Sequence, residues 1–216
     1  NFVAGRPEWE VAGVQMVEDV LPWEQMKLRM LNGSHSFLAY LGYLAGYAHI
    51  NECMQDDSFR EAARRLMLNE QAPTLRITNV DLTAYADSLL DRFANPALQH
   101  RTWQIAMDGS QKLPQRMLDG IRVHLERHTA WPLLALGVAG WMRYVSGTDE
   151  QGNAIDVRDP LSDKFQAIVA TSSDAERVSA LLTLNEIFGD DLPQNPVFVE
   201  AITSAYQRLV RLGARQ

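Results

Sequence analysis

The segment at residues 131–146 is apolar on nearly every side, and it restricts the possible folds of this chain more than any other feature. A helix without a polar stripe has to be surrounded by other parts of the chain. A membrane span needs about 18 uninterrupted apolar residues, and Arg143 breaks this shorter run. We therefore predict a central buried helix around which the remaining chain packs.

Most of the remaining chain is patterned as helices as well. Asn32 and Gly33 both tolerate positive φ, which predicts a break between the first two helices, with Ser34 capping the second. Alternating apolar and polar residues at 13–20 predict one short strand. The sequence therefore indicates one mainly α domain with a short extended N-terminal segment. Apolar residues at helical spacing predict helices at 22–31, 34–48, 57–69, 79–93, 103–107, 114–127, 131–146, 161–170, 173–188 and 196–212.

Composition excludes several classes of function. The net charge of −7 argues against an electrostatic binder of nucleic acid, and no segment is apolar for long enough to predict a membrane partner. The lone Cys53 can form neither an internal disulfide nor a cysteine-based zinc site, which indicates a reducing compartment. We therefore expect a cytoplasmic location.

Lys27, Asn32 and His35 form a candidate site at the start of a long apolar run. The chain has three lysines against 17 arginines, and only lysine can release a proton readily. A lysine whose pKa is lowered by burial or by a neighbouring cation such as Arg29 is a possible general base. An asparagine amide can stabilise an alkoxide, and a histidine can orient a hydroxyl group.

These three side chains therefore suit proton transfer at an alcohol carbon without a metal. One continuous α-helix would place them within about 140° of each other. The same spacing is also typical of a solvated lysine, an Asn-Gly helix end and a histidine near a helix start. Spacing alone leaves both interpretations open.

Residues 24–35, Glu-Gln-Met-Lys-Leu-Arg-Met-Leu-Asn-Gly-Ser-His, are followed by Leu-Ala-Tyr-Leu-Gly at 38–42. This stretch resembles the signature of the mannitol dehydrogenase family, which includes polyol-specific long-chain dehydrogenases and the fructuronate and tagaturonate reductases. Asn-Phe at 1–2, Gly-Arg-Pro at 5–7 and Asp-Gly-Ser-Gln-Lys-Leu-Pro at 108–114 support it. The resemblance implies that residues 1–216 are the family's multi-helical C-terminal domain, of the 6-phosphogluconate-dehydrogenase C-terminal-like type.

The resemblance also implies roles for individual residues. Lys27 matches the family's general acid/base, Asn32 one of its two oxyanion-stabilising asparagines, and His35 the histidine that positions the substrate. Glu24 matches a glutamate implicated in proton exchange with solvent, although an exposed partner of Lys27 would have the same spacing. Lys112 lies where the family has a basic residue that contacts substrate.

One feature of the family is missing from the sequence. No Gly-x-Gly-x-x-Gly turn is present, so we expect the NAD(P)-binding Rossmann domain, with the second asparagine, to be absent from this chain. The chain alone is then expected to be inactive. In the intact protein the resemblance implies NAD or NADP as cofactor, no metal, and the Rossmann domain as partner.

The choice of substrate depends on positive charge. Lys112, Arg6 and Arg116 offer cations for a carboxylate, which favours a sugar acid of the mannonate/fructuronate type. A neutral polyol such as mannitol or arabinitol remains the alternative. A non-catalytic helical interaction module is the alternative of another class.

Other histidines give weaker signals. His124 and His128 are four residues apart and could hold zinc, but Arg127 disfavours a cation and no third ligand is evident, so we expect a solvated or helix-end pair. His49 and His100 stand alone in the sequence and are expected to be structural.

Overall fold

The computed structural model describes residues 19–216, in which the regular elements are helices and no sheet is present. Two isolated antiparallel bridges, His49 to Arg101 and Thr148 to Ala154, complete the backbone pairing in this range. The predicted mainly α fold is confirmed. Arg6 and nearly all of the predicted strand at 13–20 lie outside the described residues.

The helices follow one another along the chain with short connections. Three-residue 3₁₀ turns occupy Ala72–Thr74, Pro96–Leu98 and Leu192–Gln194. The α-helices are α1 Leu21–Met26, α2 Gly33–Leu44, α3 Ile50–Gln55, α4 Asp57–Arg65, α5 Leu82–Ala94, α6 Thr102–Ile105, α7 Gly109–Leu113, α8 Asp119–Arg127, α9 Pro132–Val145, α10 Ser162–Thr171, α11 Arg177–Leu181, α12 Asn185–Phe188 and α13 Pro196–Leu212.

Three π-helical turns interrupt this α-helical pattern: π1 Lys27–Asn32, π2 Leu66–Gln71 and π3 Pro114–Leu118. Each is closed by a bond that reaches back five residues instead of four; in π1 the N–H of Gly33 donates to the carbonyl of Leu28. The π1 turn joins α1 to α2, and the π3 turn joins α7 to α8, so each pair runs on as one helix.

The predicted break at Asn32-Gly33 is wrong. Gly33 has helical angles, with φ −62° and ψ −46°, and Ser34 lies inside the helix rather than at its cap. A Cβ added at Gly33 would lie 2.8 Å from both the carbonyl oxygen of Arg116 and the Nε2 of Gln71. This glycine therefore permits close packing of π1 against its neighbours and does not end the helix.

Some other helix boundaries also differ from the predictions. The helix predicted from residue 114 begins at Gly109, because Pro114, the first residue of π3, lies inside the continuous helix that α7, π3 and α8 form. α5 begins after Asp81, which caps it, since Asn79 has φ 60° and cannot start a helix. The helix predicted from residue 57 begins there, capped by Asp56, and the helix predicted at 173–188 is divided into α11 and α12.

The predicted central buried helix is α9. Its Trp141 is fully buried and makes edge-on contacts with Phe165 and Phe188, at ring-centroid distances of 5.6 and 5.9 Å. α9 packs along α13 on one side and along α2 on another, so α2 is held directly against the core. None of the described helices is both long and apolar enough to cross a membrane.

Candidate active site

The π1 turn changes the relative directions of the three candidate catalytic residues. Lys27 and Asn32 are its first and last residues. In a π turn of about 4.4 residues, a five-residue step ends roughly 50° from its start, compared with about 140° in an α-helix. His35 follows Asn32 by three α-helical residues. By this geometry Lys27, Asn32 and His35 lie on one face of a continuous helix; we call this candidate catalytic surface the reactive face.

The residues of the reactive face differ in exposure. Lys27 and Glu24 are exposed, whereas Asn32 and His35 are partly buried. Arg29 is buried, and its Nη1 donates to the carbonyl and the hydroxyl oxygen of Thr74, each at 3.0 Å. The guanidinium is therefore directed to Thr74, so the structure gives no support for Arg29 as the neighbouring cation of Lys27.

His35 lies in a small aromatic cluster. Its ring is parallel to that of Phe93 at 5.1 Å and meets the ring of His100 edge-on at 5.2 Å. The Nε2 atom of His35 is buried and has no hydrogen-bond partner among the described residues. A buried polar atom without a hydrogen-bond partner is uncommon, and it indicates a nitrogen that is available to a ligand.

Burial, together with the charges around it, keeps the ring of His35 neutral. Burial and the neighbouring cations lower the pKa of His35 to about 3, far below the physiological range. A neutral imidazole can donate at one nitrogen and accept at the other, as the orientation of a substrate hydroxyl requires. Besides burial, the side chains that contribute to this shift are His100, Arg116, Lys112 and Arg92.

Lys112 and Arg116, the predicted substrate contacts, lie near this histidine. The Nζ of Lys112 donates to the carbonyl of Ile105 at 3.1 Å, and burial and the charge of Arg116 lower the pKa of Lys112. Arg116 Nη1 donates to Ser36 Oγ at 2.9 Å and, less closely, to the carbonyl of Asn32 at 3.4 Å. Two partly buried cations beside a neutral ring form a region that favours a negatively charged group.

The structure does not bring the His124 and His128 side chains together as metal ligands. His124 is buried; its Nε2 donates to the carbonyl of Glu70 at 2.6 Å, and its Nδ1 accepts from the hydroxyl of Thr129 at 2.7 Å. His128 is exposed, with φ 57°, just after the end of α8. Within residues 19–216, no group of three or more possible ligands is assembled.

Sequence reasoning missed several neighbours of the candidate site. His100, expected to be an isolated structural residue, lies against His35, because the bridge between His49 and Arg101 holds its loop there. Phe93 and Gln71 were not singled out either. No local pattern marks these residues, since tertiary packing alone brings them to the site.

The chain matches the family described as "Mannitol dehydrogenase C-terminal domain" over residues 19–210. It is 75% identical over 216 residues to an uncharacterized oxidoreductase of Escherichia coli (strain K12), covering 100% of this chain and 44% of that protein. It is 62% identical over 217 residues to the D-mannonate oxidoreductase of the same organism, covering 100% of this chain and 45% of the relative.

A solved structure shows the same fold. Pseudomonas fluorescens mannitol 2-dehydrogenase, in a ternary complex with NAD and D-mannitol, superposes with a TM-score of 0.89 at 39% sequence identity. The match covers 99% of this chain and 43% of that one. The chain thus spans less than half the length of these relatives.

Proposed function

Since this chain belongs to the mannitol dehydrogenase C-terminal domain family, we propose that it is the substrate-binding and acid–base half of a metal-independent, NAD(P)-dependent oxidoreductase. The proposed reaction interconverts a sugar alcohol or an aldonate with its keto form, with D-mannonate and D-fructuronate as the favoured pair. The observation that carries the proposal is the reactive face: Lys27, Asn32 and a neutral His35 on one side of a helix, bordered by cations.

The cofactor belongs to another part of the proposed enzyme. Residues 19–216 contain no strand that is followed by a glycine-rich turn able to hold a dinucleotide. A Rossmann domain of the full-length protein is therefore the proposed partner, and NAD or NADP held there supplies the hydride acceptor. The residues of this chain fit the acid–base side of the reaction.

Each residue of the reactive face has a distinct task in alcohol oxidation. Lys27, as the free amine, accepts the proton of the carbinol hydroxyl. The Asn32 amide donates a hydrogen bond to the same oxygen as negative charge develops on it. His35 orients the hydroxyl group, and in the reverse direction the Lys27 ammonium returns the proton. Glu24, exposed one turn earlier on this helix, exchanges protons between Lys27 and solvent.

Charge near His35 supports an acidic sugar as substrate. Lys112 and Arg116 are partly buried, and a carboxylate bound beside them would offset their mutual repulsion. The 62% identity to D-mannonate oxidoreductase supports the same choice. A neutral polyol is the second candidate, because the structurally similar mannitol 2-dehydrogenase is described with D-mannitol. The family match argues against a non-catalytic interaction module.

The test is a substrate screen of the full-length protein with D-mannonate, D-fructuronate, D-mannitol and D-arabinitol and both cofactors. We expect turnover of the mannonate/fructuronate pair and a loss of kcat of about a hundredfold or more in Lys27→Ala. Lys164→Ala is the matched control, since Lys164 is exposed and pairs with Glu186 at 2.7 Å. Turnover of none of these compounds would contradict the proposal; a similar small loss in both variants would remove Lys27 from the acid–base role.

A further inference from the structure

The side chain of Gln71 lies where the three π turns meet. Gln71 is the last residue of π2 and is fully buried, and its Nε2 donates to the carbonyl of Arg116 in π3 at 2.8 Å. A Cβ added at Gly33, directly after π1, would lie 2.8 Å from this Nε2. One added at Gly120 would lie 2.8 Å from the Oε1. Two glycines therefore leave space for a single amide group.

The contact continues from Gln71 to the reactive face. Gln71 binds the backbone of Arg116, and the guanidinium of Arg116 binds Ser36 and the carbonyl of Asn32. A change from four-residue to five-residue bonding leaves carbonyl oxygens in a π turn available to donors outside the helix. Here the Gln71 side chain of π2 donates to a carbonyl of π3, and the Arg116 side chain of π3 donates to a carbonyl of π1.

We propose that Gln71 is a positioning residue: through Arg116 it holds the π1 turn in the conformation that places the Asn32 amide on the same face as Lys27. The inference rests on the proposed role of Asn32 in the reaction. A role in packing alone does not account for an amide here, because its Oε1 has no partner among the described residues and an apolar side chain would avoid that unpaired atom.

The first test is Gln71→Met in the full-length protein, which removes the donor while keeping a long, unbranched side chain. We expect kcat to fall by about tenfold to a hundredfold, as for a catalytic group displaced by a fraction of an ångström to an ångström. The KM for the sugar should change by less than about threefold, because the lost interaction belongs to the transition state. Amide hydrogen exchange at Gly33, whose N–H closes π1, should become about tenfold faster.

A second variant covers the case in which Gln71→Met does not fold. In Gln71→Glu, only the protonated carboxyl can donate to the Arg116 carbonyl, and burial favours that protonated form. The kcat of this variant relative to wild type should therefore increase as the pH falls from about 9 to about 6. A pH-independent ratio would overturn the positioning role.

The matched control is Ser146→Ala. Ser146 is also buried, and its hydroxyl donates to the carbonyl of Met142 at 2.8 Å at the C-terminal end of α9. This variant should lose stability but keep kcat within about twofold of wild type. Equal kcat losses in Ser146→Ala and Gln71→Met, or an unchanged kcat in Gln71→Met, would overturn the proposal. If wild type turns over no sugar, the proposed function fails, and exchange at Gly33 alone still decides whether Gln71 holds π1.

Discussion

His35 and His124 lie in the same helical domain but differ in whether their ring nitrogens have hydrogen-bond partners. Both ring nitrogens of His124 have close partners, Glu70 and Thr129. The Nε2 of His35 has none among the described residues, although it is buried. A histidine with both nitrogens satisfied strengthens a fold, whereas one with a free nitrogen weakens it unless a ligand completes the bonding. The comparison separates a region with a structural role from the candidate reactive region around His35.

Two adjacent residues of the π2 turn make hydrogen bonds in these two regions, one in each. The carboxylate of Glu70 accepts the backbone N–H groups of Leu133 and Leu134 at 2.9 and 2.8 Å, which caps the central helix α9. Gln71, the next residue, holds the Arg116 backbone near the reactive face. Mutations in this one turn should therefore separate stability from activity.

The largest effect on stability is expected for Glu70→Ala. It leaves two N–H groups at the start of α9 without partners, one buried and one partly buried. The free energy of unfolding should fall by about 2–4 kcal/mol, measured by urea denaturation. Glu61→Ala, at an exposed residue of α4, is the control and should cost less than about 1 kcal/mol. Equal losses would show that Glu70 is not a structural cap.

The sequence predicts the structural region better than the reactive one. The α13 helix is found at its predicted residues, 196–212, and α9 lies within 131–146, because their apolar patterns are local. The Asn32-Gly33 break and the helix start at Pro114 are wrong because contacts between π turns override local preferences. The resemblance implies roles for Lys27, Asn32 and His35, which stay predictions, and their common face depends on π1, which no simple periodicity predicts.

A smaller loss is expected for Gly33→Ala. In an ordinary helix interior this change stabilises by about 1 kcal/mol. Here the new Cβ meets a backbone carbonyl 2.8 Å away, which cannot move aside easily, so we expect a loss of about 1–3 kcal/mol in urea denaturation. Gly137→Ala is the control: its Cβ would meet side-chain atoms only, of Met117 at 3.0 Å and of Phe37 at 3.2 Å, so it should cost less than Gly33→Ala. A stabilised Gly33→Ala variant would contradict close packing of π1.

The pH dependence of stability should have opposite signs in the two regions. The folded-state pKa of His35, about 3, lies below its ordinary value of 6.5, so the unfolded chain binds the proton first. Protonation of the buried ring therefore costs folding free energy: the cost is absent above pH 6.5 and grows as the pH falls towards 3, by at most about 1.4 kcal/mol per pH unit for one proton. His35→Phe should remove this dependence, and an unchanged pH profile would contradict it.

For Glu70 the sign is reversed. Burial raises its folded-state pKa from 4.5 to about 6, so the folded chain binds this proton more tightly than the unfolded chain. Its contribution is complete below pH 4.5 and decreases as the pH rises through 6. The unfolding free energy of wild type minus that of Glu70→Gln should therefore decrease as the pH rises from 4.5 through 6. A difference that rises with pH would show that the two backbone N–H groups outweigh burial.

The most direct test of the division between the two regions is a crossed measurement on His35→Phe and His124→Phe in the full-length protein. His124→Phe should lower the free energy of unfolding by about 1–3 kcal/mol, since it leaves the Thr129 and Glu70 oxygens without their partner, and should keep kcat/KM within about threefold. His35→Phe should lose no stability at neutral pH but should lower kcat/KM by about tenfold or more. The reverse pattern, with activity lost in His124→Phe and stability lost in His35→Phe, would contradict a reactive face at Lys27, Asn32 and His35.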